Sequence, residues 1–228
     1  MTAPLAFAAV PCTYGDEPFT LEVPARHTVA VLGDENSGAG QLGGYALGLD
    51  APPGGRVTVF GTAVAELPEQ ERRAFRRRVG YLPGGGAGGN GLIENLSLRD
   101  NVALQLRFGS PASPREIDGR VSVILTALRV TAVAERRPAQ VTDEERRRAA
   151  FARALAFDPA LLVLERPFDG LTARASAELL ELARGGETAE GARRTILITG
   201  SELPAIVLRR IERVYRLTRS GTLHLEPA

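Results

Sequence analysis

Lysine is absent from this 228-residue chain, and all twenty-eight of its basic residues are arginines. A site that needs a lysine, such as the clamp on the terminal phosphates of a nucleotide, is therefore incomplete, because no neighbouring segment can supply one. Cysteine occurs once, at Cys12, which excludes an internal disulfide and fits a reducing cytoplasm. Long apolar runs are also missing, and none approaches the roughly 18 residues that a membrane-spanning helix needs.

The chain also has no large excess of charge of either sign. The net charge of +1 gives no general attraction to nucleic acid or to anionic lipid, so we expect any membrane role to come through a partner. The N-terminal residues lack the basic stretch of a signal peptide, and we predict none. The two histidines, His27 and His224, are not spaced as metal ligands. With 44% hydrophobic residues, the chain is long enough for one compact domain over residues 1–228.

A phosphate-binding loop frame is the most informative feature that is present. Residues 33–41 read Gly-Asp-Glu-Asn-Ser-Gly-Ala-Gly-Gln, close to the pattern G-x-x-x-x-G-K-[ST]. The apolar segment Thr28–Leu32 predicts a buried strand before the loop, and residues 41–49 predict a helix after it. Gly33 and Gly38 keep the tight backbone path that lets amides surround a phosphate.

The reactive positions of this frame are replaced. Ala39 stands at the lysine position and Gly40 at the position of the hydroxyl that binds Mg²⁺, while Asp34 and Glu35 add negative charge beside the expected cavity. Ser37 precedes the hydroxyl position and does not replace it. We interpret the segment as a strand–loop–helix turn kept for folding, with weak nucleotide binding through backbone amides as the alternative. The degenerate positions of the loop are Gly33, Asn36, Ser37, Gly38, Ala39, Gly40 and Gln41.

The remaining chain alternates strand and helix patterns, which predicts a mostly parallel α/β sheet. The predicted strands are 19–23, 28–32, 56–60, 160–164 and 194–199, and the predicted helices are 68–78, 96–108, 117–128, 143–157, 173–184 and 203–210. A terminal hairpin is expected around Ser220. The glycine-rich run 84–91 predicts a connector. We interpret the arginine clusters 72–78, 146–148 and 209–213 as solvated helix faces.

Four further segments carry a family resemblance: 51–61, 76–83, 152–164 and 167–171. In order and spacing they resemble the nucleotide-binding subunits of ABC transporters, from about Tyr14 to Leu223. The resemblance implies the P-loop NTPase (ABC cassette) fold, with a mostly parallel sheet flanked by helices, a small antiparallel β subdomain and a helical insert at about 92–140. Residues 92–104 are similar to segments in lipid-importing ABC systems of the mammalian-cell-entry type.

The resemblance also assigns family roles to single positions. Tyr14 stands where the family places an aromatic residue that stacks on adenine, although a half-buried tyrosine at a strand end explains it equally well. Gly84 replaces a glutamine that contacts Mg²⁺ and water. Thr172 replaces the acidic residue of the D-loop, and Ser201 stands at the switch histidine.

Residues 141–146 lie at the signature Leu-Ser-Gly-Gly-Gln-Arg, where glycines let a helix N-terminus approach a γ-phosphate. Here Thr142 and Glu145 predict a capping box, and Asp143 and Glu144 load the first turn with negative charge. We therefore expect a stable helix start and a poor phosphate receptor.

Glu165 and Arg166 end a strand where the family has Asp-Glu. Glu165 could still act in the Mg²⁺ shell. Arg166 replaces the carboxylate that polarises water, and a guanidinium stays protonated, so it cannot serve as a base. We expect Arg166 to pair with Asp169 or with a nearby acidic loop.

These replacements remove the lysine, the Mg²⁺ hydroxyl, the glutamine, the catalytic glutamate and the histidine together. The sequence therefore predicts a catalytically inactive ABC-cassette subunit, without catalytic residues, cofactor or metal, in a membrane transporter. The expected partners are an ABC transporter membrane subunit and, in a head-to-tail dimer, itself or a second cassette. Its expected location is cytoplasmic, peripheral to the inner membrane through a permease. The alternatives are an ATP-binding subunit of an asymmetric heterodimer that does not hydrolyse, and a soluble interaction protein.

Overall fold

A computed structural model describes residues 3–12, 17–84, 91–188 and 191–226. Tyr14 and residues 85–90 of the glycine-rich run lie outside the described residues. The strands are β1 (Leu5–Pro11), β2 (Pro18–Val23), β3 (Thr28–Leu32), β4 (Arg56–Val59), β5 (Thr62–Ala63), β6 (Val79–Leu82), β7 (Leu161–Glu165), β8 (Glu187–Thr188), β9 (Gly191–Ala192), β10 (Thr195–Gly200), β11 (Arg213–Leu217) and β12 (Leu223–Leu225). The helices are α1 (Leu42–Ala46), α2 (Glu69–Arg76), α3 (Leu98–Gly109), α4 (Pro114–Ala127), α5 (Asp143–Ala154), α6 (Ala173–Arg184) and α7 (Ala205–Leu208).

The main sheet has the strand order β12-β11-β3-β10-β7-β6. All of its neighbouring pairs are parallel except the terminal hairpin of β11 and β12. The predicted parallel sheet and the predicted hairpin are therefore confirmed. Parallel strands end at one edge, so the loops after β3, β6, β7 and β10 meet there.

The main sheet is covered on both faces, as parallel sheets require. Every residue of β3 is buried. Ala30 and Leu32 belong to a core shared with α3, α4, α5 and α6. Val29 and Val31 belong to a second core, which the antiparallel sheet closes. The predicted helical insert is present as α3 and α4, and it packs into the first core.

The antiparallel sheet has the order β2-β1-β4-β5. Its central strand β1 was not predicted from the sequence, because Leu5–Pro11 is rich in alanine and poor in β-branched residues. Its pairing with β2 shifts between Phe7 and Val10, and Ala9 there has φ of 49°, so an irregularity also breaks the alternating pattern.

The predicted length of the helix over residues 41–49 is wrong. A 3-10 turn occupies Ala39–Gln41, and α1 covers only Leu42–Ala46. Consecutive glycines in α1 give low helix propensity, and Gly48 with φ of 59° ends it. The guanidinium of Arg76 donates to the carbonyls of Leu47 and Gly48 at 3.0 and 3.1 Å, which satisfies the end of this short helix.

Arg148 contradicts the interpretation of residues 146–148 as a solvated face. Its side chain is buried, and its Nη2 lies 2.9 Å from a carboxylate oxygen of Glu144 and 3.2 Å from one of Glu178. It thereby ties α5 to α6. The sequence gave no warning, because an arginine at the end of a run of charged residues is usually exposed.

We expect Arg148→Ala to lower the free energy of unfolding by about 3 kcal/mol, because it leaves Glu144 without its cation and Glu178 with only the exposed Arg129 at a half-buried interface. The matched control is Arg56→Ala, which breaks an ion pair whose side chains are 61% and 65% exposed and should cost less than about 1 kcal/mol. Urea unfolding of both variants measures the difference. Equal losses would show that the α5–α6 ion pairs carry no special weight.

Candidate functional site

A cavity of about 350 Å³ opens at the carboxyl edge of the main sheet, the place where open α/β sheets bind ligands. Four loops meet there because β3, β6, β7 and β10 run in parallel. The cavity is lined by Gly33, Asp34, Glu35, Ala39, Gly40, Gly84, Glu165, Arg166, Thr199, Gly200 and Ser201. The predicted positions in the loop, at Gly84, at Glu165 and Arg166, and at Ser201 are thus brought together.

The loop after β3 satisfies several of its own amides. The Asn36 N–H donates to Oδ1 of Asp34 at 2.9 Å, and the Ser37 N–H donates to the Asp34 carbonyl at 3.1 Å. The Gln41 N–H donates to the Gly38 carbonyl at 3.0 Å. A phosphate-binding loop directs backbone N–H groups at its ligand.

Ser37 supplies a further acceptor inside the loop. Its side chain is fully buried, and its hydroxyl donates to the Asp34 carbonyl at 2.7 Å. The same hydroxyl accepts the Ala39 N–H at 3.2 Å. A side chain on Gly33 would overlap this hydroxyl, so the glycine is needed for the close approach. Ser37 therefore fills the interior of the loop with one of its own oxygens.

Glu165, at the end of β7, has both carboxylate oxygens engaged. Oε1 accepts the Tyr81 hydroxyl at 2.9 Å, and Oε2 accepts the Gly84 N–H at 3.0 Å. Burial raises the pKa of the Glu165 carboxyl, while these two hydrogen bonds lower it. Burial, and then the neighbouring Glu165 charge, raise the pKa of Tyr81 well above its usual range.

Arg166 pairs with Asp169, as predicted. Its Nε donates to Oδ2 of Asp169 at 2.7 Å, and its own N–H donates to the Thr199 carbonyl at 2.7 Å. Its φ of 45° is a left-handed conformation that few non-glycine residues adopt, and it occurs in the turn after β7. The position at which the resemblance implies a water-polarising carboxylate therefore holds a cation with an acidic neighbour.

The α5 start is the predicted capping box. The Thr142 hydroxyl accepts the Glu145 N–H at 3.3 Å, and the Glu145 carboxylate accepts the Thr142 N–H at 2.9 Å. Hydrogen bonds from the Thr142 N–H and hydroxyl hold the pKa of Glu145 below its usual value. Asp143 is 79% exposed beside Arg146, and Glu144 bonds Arg148.

Not every predicted position reaches the cavity. Thr172 is the N-cap of α6, where its hydroxyl accepts the Ala175 N–H at 3.2 Å. The residues of the predicted site that are outside the cavity lining are Asn36, Ser37, Gly38, Gln41, Thr142, Asp143, Glu144 and Thr172. Tyr14 is outside the described residues, so its stacking role stays a prediction.

Sequence reasoning missed Tyr81 and Gly43, which both contact Glu165. The parallel register pairs Tyr81 with Val163, two residues before Glu165, and this register was the only signal for the contact. Gly43 gave no signal, because the sequence does not reveal which helix face meets β7.

Within the described ranges, no cluster of three or more acidic, histidine or cysteine side chains could hold a metal ion. In the same ranges, no helix is both long and apolar enough to cross a bilayer.

Comparison with known proteins assigns this architecture to a family. The sequence model described as ABC transporter matches residues 17–169. The methionine import ATP-binding protein MetN 2 of Pseudomonas aeruginosa is 30% identical over 73% of this chain and 48% of its own length. The sulfate/thiosulfate import ATP-binding protein CysA of Mycobacterium tuberculosis is 33% identical over 78% of this chain and 49% of its own. The chain thus spans about half the length of these curated relatives.

A further sequence relative is matched over more of its own length, and two solved structures have a similar fold. The lipoprotein-releasing system ATP-binding protein LolD of Chromohalobacter salexigens is 32% identical over 72% of this chain and 68% of its own length. The ADP- and phosphate-bound dimer of the ATP-binding cassette MJ0796 superposes with a TM-score of 0.80 at 21% identity, over 98% of this chain and 99% of that one. CbiO1 of Clostridium perfringens superposes with a TM-score of 0.78 at 16% identity, over 100% and 88%. At these identities the structures support the fold, and together with the matched sequence model they lead to one conclusion: the chain belongs to the ABC transporter family, as an ATP-binding cassette domain.

Proposed function

We propose that this chain is a catalytically silent cassette with a structural or regulatory role in a membrane transporter. The observation that carries the proposal is the loop after β3, which lacks a cation and uses its own oxygens to satisfy its amides. Ala39 and Gly40 supply neither the charge nor the hydroxyl of a working loop. The Ala39 N–H is held by Ser37 at 3.2 Å. The relatives named above are ATP-binding proteins by name, so the proposal separates this chain from them.

The residues present fit Mg²⁺-bound ATP poorly. Asp34 and Glu35 line the cavity and would repel a polyphosphate. Both oxygens of Glu165 already accept a hydrogen bond, which leaves each with one lone pair for a Mg²⁺ shell. We therefore propose that no nucleotide or metal is required for the folded state of this domain.

Hydrolysis would also lack a base. Phosphoryl transfer depends on positioning and on stabilising charge around the transferred group, by lysine, Mg²⁺ and a residue that orients water. In this chain Arg166 stands at that last position and is paired with Asp169. Each lost element commonly costs several kcal/mol of transition-state stabilisation. Such losses together leave no route to turnover.

The partners follow from the family. The named relatives are import or release ATP-binding proteins, and we propose that this cassette likewise joins a membrane permease subunit on its cytoplasmic side. It would pair head to tail with a second copy or with an active cassette. The similarity of residues 92–104 to lipid-importing systems is the basis for proposing a lipid as the transported class.

We expect the purified chain to release no phosphate from excess Mg·ATP above a blank without protein, because the charge clamp and the base are both missing. An ATPase-active cassette assayed in parallel is the positive control. Turnover near one per second that Glu165→Ala abolishes would contradict the proposal. Saturable ATP binding without turnover would instead favour a non-hydrolysing ATP-binding subunit.

We expect assembly with a cassette or permease partner to be equally strong with ATP, with ADP and without nucleotide. In a head-to-tail dimer the α5 start faces the partner's nucleotide, and here it presents the exposed Asp143 beside a helix end already capped by Glu145. Sedimentation of the co-purified complex in the three conditions measures this. Assembly seen only with ATP would contradict it.

A further inference from the structure

The carboxylate of Glu165 joins two strand ends. Its partners Tyr81 and Gly84 flank the end of β6, while Glu165 itself ends β7. One side chain therefore holds the backbone at Gly84 against the neighbouring strand. A hydrogen bond from a backbone amide to a carboxylate is among the stronger kinds in proteins, because the acceptor is charged.

Two glycines make room for this side chain. A Cβ on Gly43 of α1 would overlap the Glu165 carboxylate and would lie 3.1 Å from Cε2 of Tyr81. A Cβ on Gly84 would lie 2.8 Å from the Cβ of Glu165. Any larger residue at either position would force Glu165 to move. The side chain and its two glycines are thus matched by shape.

A second charged side chain holds the other described end of the glycine-rich run. The guanidinium of Arg153, on α5, donates to the carbonyl of Gly91. A carboxylate therefore binds a backbone N–H at Gly84, and a cation binds a backbone carbonyl at Gly91. The negative carboxylate thus accepts from an N–H group, and the positive guanidinium donates to a carbonyl oxygen.

We propose that Glu165 is a positioning residue that fixes Gly84 and the end of β6 by itself, with Arg153 fixing Gly91, and that neither contact needs a nucleotide or a metal. This assignment goes beyond the proposed function, because it gives the carboxylate a task of its own. It competes with the role that the family position implies, in which an acidic side chain faces Mg²⁺. The two roles respond differently to a shorter side chain.

The first test follows hydrogen exchange of the Gly84 amide by NMR in three variants of the full chain. Glu165→Ala removes the acceptor, and Glu165→Asp shortens it by one methylene, so both should speed exchange at least about tenfold. Glu165→Gln should restore protection, because its carbonyl accepts the Gly84 N–H and its amide group donates to the Tyr81 hydroxyl. The exchange rate of the unaltered chain should be the same with and without Mg²⁺.

Two results of this test would overturn the proposal. If the Gly84 amide stays protected from exchange in Glu165→Asp, the length of the Glu165 side chain is not needed to hold it. A Mg²⁺-dependent change at Gly84 that disappears in Glu165→Ala would make Glu165 a metal ligand. Neither result depends on whether the chain hydrolyses ATP, so failure here is distinct from failure of the proposed function.

The second test is a double-mutant cycle with Gly43→Ala. When Glu165 is present, the methyl group added by Gly43→Ala displaces its carboxylate, so the melting temperature should fall. In the Glu165→Ala background the carboxylate is gone and only Cε2 of Tyr81, at 3.1 Å, remains close to the added methyl group, so the same change should lower the melting temperature much less. The control is Gly119→Ala in α4, where the added Cβ would meet no atom within 4 Å. This substitution should raise the melting temperature in both backgrounds. Equal shifts for Gly43→Ala in both backgrounds would overturn the proposal.

Discussion

The hydrogen-bonding needs of backbone amides at the carboxyl edge of the main sheet govern this structure. A buried N–H without an acceptor costs free energy, so the amides there that water does not reach must find an oxygen. A working cassette loop leaves such groups for phosphate. Here Asp34 and Ser37 accept N–H groups of the first loop, and Glu165 accepts that of Gly84. We propose that these contacts keep the edge stable without a ligand.

The same logic extends to α5. The N-terminus of a helix attracts anions through its free N–H groups and its dipole. In this chain Glu145 and Thr142 cap each other's backbone, so the helix provides its own acceptors. The outline of a phosphate-binding site is present, and side chains of the protein accept several of its N–H groups. A fold can keep such motifs in place whether or not they keep their chemistry, because the same loops connect the same strands.

Much of the fold could be predicted because its signals were local. The parallel strands, the capped helices and the pairing of Arg166 with Asp169 follow from short patterns. The failures had two kinds of cause. The burial of Arg148 was set by a neighbouring helix, whereas α1 was shortened by its own glycines and the strand β1 was hidden by its alanines. The niche of Glu165 combines three distant segments, and no single-sequence pattern reveals that its carboxylate reaches Tyr81.

The central claim is that the loop after β3 satisfies its amides internally and does not receive a phosphate. An NMR titration with Mg·ATP that follows the amide signals of Asn36, Ser37, Ala39 and Gln41 tests this claim most directly. The account predicts that these signals stay unchanged up to millimolar Mg·ATP. Saturating shifts of these amides with a micromolar dissociation constant would contradict it, because they would show that a phosphate displaces the internal acceptors.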